Sequence, residues 1–224
     1  MRSSYGTIKR SADVILAGVL LVIAAPVIAF LCLLVHLSLG RPVFFLQQRA
    51  GLLGKPFTII KLRTMSQVPA DVTTVRSESE RIGALGRCLR RSGLDELPQL
   101  WNVLIGDMSV VGPRPLLTSY LDRYSDEQRR RHEVRPGITG WAQVNGRNSL
   151  DWSEYFKKDL WYVDNMSATL DAYILLRSLF LVVSAPFGGH RSNMVLRAEF
   201  KGLPGVVGDG DEGRGEAPTP ALDP

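Results

Sequence analysis

Two carboxylates stand side by side at Asp95 and Glu96, within the run Ser92-Gly93-Leu94-Asp95-Glu96-Leu97-Pro98-Gln99-Leu100. Proline favours the first turn of a helix, so the pair sits at or just before a helix N-terminus. There the helix dipole and the backbone N–H groups keep a carboxylate ionised. One acid of such a pair can bind a hard cation such as Mg²⁺ while the other attacks phosphorus or activates a nucleophile. Acids at helix starts are also ordinary caps, so the dipeptide alone does not decide.

The second candidate is Gly112-Pro113-Arg114-Pro115, where two prolines restrict the backbone around a guanidinium, the preferred fork for phosphate oxygens. The third is residues 135–148, which contain Gly137, Gly140, Gly146, Trp141, Arg135 and Arg147. Glycines there can bring backbone donors close to a nucleotide, with an aromatic surface beside them. In residues 57–63, period two places Lys61 and Arg63 on one face of a strand, either as a solvated edge or facing an anion. Arg87, Arg90 and Arg91 form a basic stripe on a short helix. Bases gathered around an acid pair suit metal-assisted cleavage of a diphosphate. A Walker-type phosphate loop is excluded, because no G-x-x-x-x-G-K-[ST] occurs.

These residues need elements to hold them. Residues 43–49 and 57–63 read as a small β-hairpin around a turn rich in Gly and Pro. A helix ends at Ser92-Gly93, another begins near Pro98, and residues 116–132 read as a third, with acids ahead of bases as the macrodipole favours. Trp152, Tyr155, Phe156 and Leu160 follow helical spacing, which suits a core face or a membrane-interface belt near Trp161 and Tyr162. Residues 173–186 are apolar but short and interrupted by Arg177, and are expected to lie in a membrane interface or on the domain.

Residues 14–39 are apolar except His36 and Ser38, long enough to span a hydrocarbon core of about 30 Å. The run is too long for the core of a signal peptide. Pro26 divides it into halves too short to cross alone, and a bend is expected there. Lys9 and Arg10 precede the run; Arg41, Arg49, Lys55, Lys61 and Arg63 follow it. Bases on both flanks favour a re-entrant helix broken at Pro26, with both ends on the cytoplasmic side.

The chain of 224 residues carries a formal net charge of +5, and its 45% hydrophobic content is that of a globular protein. Cys32 and Cys88 suggest neither a disulfide framework nor a zinc site. Residues 205–224 hold five acids against Arg214 and few large apolar side chains, and read as a disordered acidic tail. Gly208, Gly210 and Gly213 there imitate a dinucleotide fingerprint without its strand and helix. The expected fold is α+β and helix-rich. Its parts are the re-entrant membrane helix over 1–40, a catalytic domain with amphipathic interfacial helices over 41–190, a connecting segment over 191–204 and the tail.

The ordered series Lys9-Arg10, the Pro-broken apolar run, Lys61-Leu62-Arg63-Thr64-Met65, Leu94-Asp95-Glu96-Leu97-Pro98-Gln99-Leu100, Gly106-Asp107-Met108-Ser109, Gly112-Pro113-Arg114-Pro115 and Arg135-Pro136-Gly137-Ile138-Thr139-Gly140 resembles the monotopic bacterial sugar transferase family of small polyprenyl-phosphate phosphoglycosyl transferases. The resemblance covers about residues 5–187. It implies transfer of a sugar-1-phosphate from a UDP-sugar to undecaprenyl phosphate with release of UMP, at the cytoplasmic face of the bacterial inner membrane. It further implies Asp95 as the nucleophile that carries the phosphosugar and Glu96 as a ligand of Mg²⁺. Arg90, Arg114 and Arg147 would bind phosphates, with Lys61 and Asp171 as further active-site residues. Membrane lipids are expected partners, nucleic acid is not, and oligomers are open. Small members often carry Ser before the proline of the break, where this chain has Ala25.

Two other classes stay in view. A membrane-anchored nucleotide-sugar-binding scaffold would have no need of the acid pair. A metal-dependent lipid-phosphate hydrolase would release free sugar-1-phosphate instead of a lipid-linked product.

Overall fold

The computed structural model describes residues 2–67, 81–146, 149–184 and 200–202. A long helix α1 (Arg2–Leu39) leads into a hairpin of β1 (Phe44–Ala50) and β2 (Pro56–Leu62). Then come α2 (Ala84–Ser92), a 3₁₀ turn (Leu94–Glu96), α3 (Gln99–Ile105) and β3 (Ser109–Val111). Short turns that include α4 (Asp126–Arg129) connect to β4 (Gly137–Thr139) and α5 (Trp141–Val144). Two longer helices, α6 (Trp152–Asn165) and α7 (Ala168–Ser184), complete the described fold. It is helix-rich, with the expected small hairpin. The expected tail and most of the connecting segment lie outside the described residues.

Helical structure in α1 is continuous through Pro26. Both ends of the helix are tied to the rest of the protein. Lys9 pairs with Asp171 at 2.6 Å, and Arg10 donates to the carbonyls of Val103 and Leu104 at 2.6 and 3.0 Å, capping the end of α3. Asp13 accepts from the Val110 amide at 3.1 Å, and Ala17 is fully buried in the main core. At the far end Leu31 and Val35 pack with Leu62 and Leu89. Arg63 donates to the carbonyls of Leu39 and Gly40 just beyond. Between these anchors Val22, Ile23, Val27 and Phe30 are exposed. The helix is long and apolar enough to cross a membrane.

The hairpin pairs Phe44 with Leu62 through Ala50 with Pro56 in antiparallel register. Its loop is closed by the Gly51 amide donating to the Lys55 carbonyl at 2.8 Å. Asn102, 1% exposed on α3, completes the outer edge of β2. Its side-chain amide donates to the Thr58 carbonyl at 2.8 Å and its oxygen accepts from the Ile60 amide at 3.2 Å. The side chain thus substitutes for a third strand, since buried backbone groups must find partners.

The helix expected over 116–132 is instead three short turns. Tyr124 is extended (φ −82°, ψ 139°), and Ser125 then starts α4 with a reciprocal cap to Gln128. Tyr120 and Tyr124 turn inward onto Phe156 and Phe200, so aromatic packing overrides helix propensity here. The face of Tyr155, Phe156 and Leu160 is core, not a membrane belt.

β3 and β4 pair in parallel, Ser109 with Gly137 and Val111 with Thr139. Three glycines make that contact close. A Cβ on Gly137 would lie 2.1 Å from the Gly112 nitrogen, and one on Gly140 would lie 2.2 Å from the Gly112 oxygen. The glycines of 137–140 therefore seat this segment against the Gly112-Pro113-Arg114-Pro115 turn.

Candidate active site

The acid pair owes its place to a left-handed glycine. Gly93 (φ 71°) ends α2 and turns the chain into the 3₁₀ turn that carries Asp95 and Glu96. α2 itself is fixed by Gly86, where a Cβ would meet the Thr64 carbonyl oxygen at 2.1 Å. From α2, Arg90 Nε donates to Thr64 Oγ1 at 2.9 Å.

Glu96 is the electrostatic centre. Its Oε1 accepts from Lys61 Nζ at 2.8 Å and from Arg114 Nη2 at 2.7 Å. Burial alone would raise its pKa, but Arg114 and Lys61 together hold the carboxyl well below the usual carboxylate range. Glu96 in turn raises the pKa of the half-exposed Arg114 guanidinium that faces it. Burial, and then Arg114, lower the Lys61 ammonium.

Asp95 behaves in the opposite way. It is 8% exposed, a buried acid at the start of a helix. Burial first and the Glu96 charge second push it up to about 6, against the pull of Lys61, Arg114 and Arg90. Two neighbouring carboxylates with pKa values driven apart are a mark of divided chemical roles. Asp95 is the more basic, hence the better nucleophile once ionised. Glu96 stays charged throughout.

Lys61, Arg90, Arg114 and the acid pair thus converge. Asp171 is held by a different set of partners. Its Oδ2 accepts from Tyr5 and Lys9 at 2.7 and 2.6 Å, and its Oδ1 from Tyr162 at 2.7 Å, joining α1, α6 and α7. Arg147 lies outside the described residues. Arg63 leaves the face of Lys61 because β2 ends at Leu62, and it caps α1 instead.

A small cleft beside Glu96 is lined by Arg49, Ile59, Lys61, Gln99, Arg114 and Pro115. Arg49 and Gln99 were not legible as site residues: Arg49 counts only among the bases flanking the apolar run, and Gln99 is the neutral neighbour of the acid pair in its motif. The register does offer a signal: Arg49 pairs with Phe57 on the face that also carries Ile59 and Lys61.

Among the described residues no cluster of three or more His, Cys, Asp or Glu could hold a metal. Mg²⁺ does not need one, because it keeps several waters and takes one or two carboxylates together with substrate phosphates. The adjacent Asp95 and Glu96 fit that mode. Among the described residues Glu96 Oε2 has only a long 3.5 Å contact to Arg114, which leaves an oxygen able to serve.

Residues 4–185 match the family model described as "Bacterial sugar transferase". The chain is 47% identical over 195 residues to the "Uncharacterized sugar transferase EpsL" of Bacillus subtilis, covering 87% of this chain and 96% of that protein. It is 40% identical over 183 residues to the Escherichia coli "UDP-glucose:undecaprenyl-phosphate glucose-1-phosphate transferase", covering 77% of this chain. It is 37% identical over 193 residues to the Salmonella typhimurium "Undecaprenyl-phosphate galactose phosphotransferase", covering 79% of this chain. The matches span 39% and 40% of those two longer proteins. The matched region contains the whole of the site described above, and the chain belongs to the bacterial sugar transferase family, whose members are enzymes of sugar-phosphate transfer.

Proposed function

We propose that the protein transfers a sugar-1-phosphate from a UDP-sugar to undecaprenyl phosphate, releasing UMP and starting assembly of a lipid-linked glycan or exopolysaccharide. The observation that carries this reading is the buried Asp95, raised to about 6, beside a Glu96 that Lys61 and Arg114 keep ionised. The names of the longer relatives point to the same substrates.

The reaction has two displacements. In the first, an Asp95 carboxylate oxygen attacks the phosphorus that bears the sugar; the new P–O bond forms as the bond to UMP breaks, and UMP leaves with the electron pair. In the second, an oxygen of undecaprenyl phosphate attacks the same phosphorus, and Asp95 departs as its carboxylate. Arg114 and Lys61 lie next to the charge that develops on the phosphoryl oxygens, and Arg90 lies near Asp95. Mg²⁺, held by Glu96, would neutralise diphosphate charge and favour the leaving group. Splitting one transfer into two steps is the usual benefit of nucleophilic catalysis.

The setting is a re-entrant helix on the cytoplasmic face of the inner membrane. Its two ends are anchored on one body of protein, through Lys9 and Arg10 at one end and Leu31, Val35 and Leu39 at the other. A straight span would separate those ends by the bilayer. Pro26 lies in the exposed stretch between them, where a bend is favoured. On α7, Leu176, Leu179, Phe180 and Val183 are exposed at helical spacing, forming an apolar face suited to the interface.

The test is UMP release by detergent-purified protein given Mg²⁺, undecaprenyl phosphate and a panel of UDP-sugars. Release with one sugar, absent in Asp95→Asn, supports the reading. Equal rates in wild type and Asp95→Asn contradict it. Free sugar-1-phosphate as the product would instead assign a hydrolase.

A further inference from the structure

The cleft beside Glu96 contains two polar groups that the fold does not use. Gln99 is 1% exposed, yet among the described residues its Nε2 has no hydrogen-bond partner. Arg49 Nε is likewise buried and finds no partner among the described residues. Both side chains line the same cleft, with Lys61 and Arg114. Buried donors are almost always paired, so two orphans facing one cleft point to a ligand with acceptors.

Charge narrows the ligand. The cleft is lined by three cations, Arg49, Lys61 and Arg114. Glu96 answers two of them, Lys61 and Arg114. Among the described residues the Arg49 side chain donates to a neutral amide oxygen, Gln47 Oε1, at 2.5 Å. Burial, and the repulsion of Arg114, press it down to about 10, still charged at neutral pH. A guanidinium whose Nε is buried and whose side-chain hydrogen bond goes to a neutral amide, next to a free amide donor, is complementary to a small anion with several oxygens.

We infer that Arg49 and Gln99 form a phosphomonoester subsite beside the Asp95–Glu96 pair. This rests on the transfer reaction proposed above, in which two phosphomonoesters visit the site in turn: UMP as it leaves and the polyprenyl phosphate as it enters. Arg49 offers a charged N–H and Gln99 a neutral one, so the subsite holds the phosphate without adding a second acid that would repel it.

The test uses the full chain in detergent, with Arg49→Gln and Gln99→Leu. Inorganic phosphate is expected to raise the thermal midpoint of wild type, and each substitution to remove most of that rise. Without phosphate Gln99→Leu should melt no lower than wild type, because its orphan donor bonds to nothing in the described fold, and Arg49→Gln should lose no more than its bond to Gln47. In turnover, a tenfold or greater rise in KM for undecaprenyl phosphate would place the lipid phosphate there, and a similar rise in the UMP inhibition constant would place the nucleotide's. Phosphate protection and both constants unchanged in the two variants would overturn the subsite. So would a larger fall in midpoint with unchanged constants, which would make the pair structural. If wild type turns over no UDP-sugar, the transferase reading fails, and the phosphate protection still decides the subsite.

Discussion

Arg131 Nη2 donates to the backbone carbonyl of Arg114 at 2.7 Å while its guanidinium also pairs with Asp159 Oδ2, both side chains being 2% exposed. The arginine that reaches Glu96 is therefore held from behind by a second arginine, buried and neutralised by α6. Gly112 and Gly137 hold the same turn from the other side, with the Gly137 amide donating to the Pro113 carbonyl at 2.9 Å. Removing one member of a buried pair leaves an uncompensated charge, at a cost of about 3–5 kcal/mol. Arg131→Gln should thus lower the thermal midpoint sharply, and adding Asp159→Asn should restore most of the loss. A double-mutant cycle by thermal denaturation measures the coupling.

Asp95 links activity to pH. Its folded pKa, about 6, lies above the ordinary carboxylate value, so the folded state favours the protonated acid. The sign follows: stability from this group is greatest below about pH 4 and falls as pH rises towards 6, by up to about 3 kcal/mol. Activity runs the other way, since the attacking form is the carboxylate. The first displacement should rise with pH and level off above about 6. Asp95→Asn should abolish turnover while melting no lower than wild type at pH 7.5. Stopped-flow UMP release across pH, with calorimetry of the variant, tests both.

Gly86 sets the approach of α2 to Thr64. A methyl group there would meet a backbone oxygen at 2.1 Å, so helix and strand must separate. Gly86→Ala should cost about 1–3 kcal/mol, as overpacking does elsewhere. It should also lower activity more than stability, because Arg90 lies on that helix and the acid pair on the turn that follows it. Comparing the midpoint with kcat at a temperature where the variant is folded separates the effects.

The local parts of this arrangement were legible, because they depend on neighbours in the chain. The hairpin falls within one residue of its expected ends, the left-handed Gly93 closes α2, and Pro98 precedes α3. Asp95, Glu96, Lys61, Arg90 and Arg114 gather because each stood in a motif of suitable chemistry. What escaped depends on distant partners. Asn102 reads as an ordinary helical residue until β2 lies beside it, and Arg131 reads as one of three surface bases until Asp159 meets it. The parallel pairing of β3 and β4 joins segments too short for period-two patterning to show. The three glycines of residues 135–148 looked like a nucleotide cradle, but Gly137 and Gly140 bring two backbones together.

Asp171 tests how α1 is held. Three donors from two other helices converge on it, and Lys9 also lies 4.0 Å from Asp13. Asp171→Asn should weaken the charge-assisted bond to Lys9 and lower the midpoint, by about 2 kcal/mol if the contact behaves as a typical charged hydrogen bond. It should also speed proteolysis near the start of α1. Tyr162→Phe, which removes one neutral donor, should cost about 1 kcal/mol. Limited proteolysis alongside thermal denaturation distinguishes loosening of α1 from a change at the site.

The central claim is that Asp95 carries the phosphosugar between two displacements. Mixing the protein with its UDP-sugar and Mg²⁺, without undecaprenyl phosphate, and quenching within one turnover tests it most directly. The account predicts about one equivalent of UMP per active site and a matching mass increase on the peptide containing Asp95, discharged when undecaprenyl phosphate is added. UMP released only when the acceptor is present, with no mass added to that peptide, would contradict it.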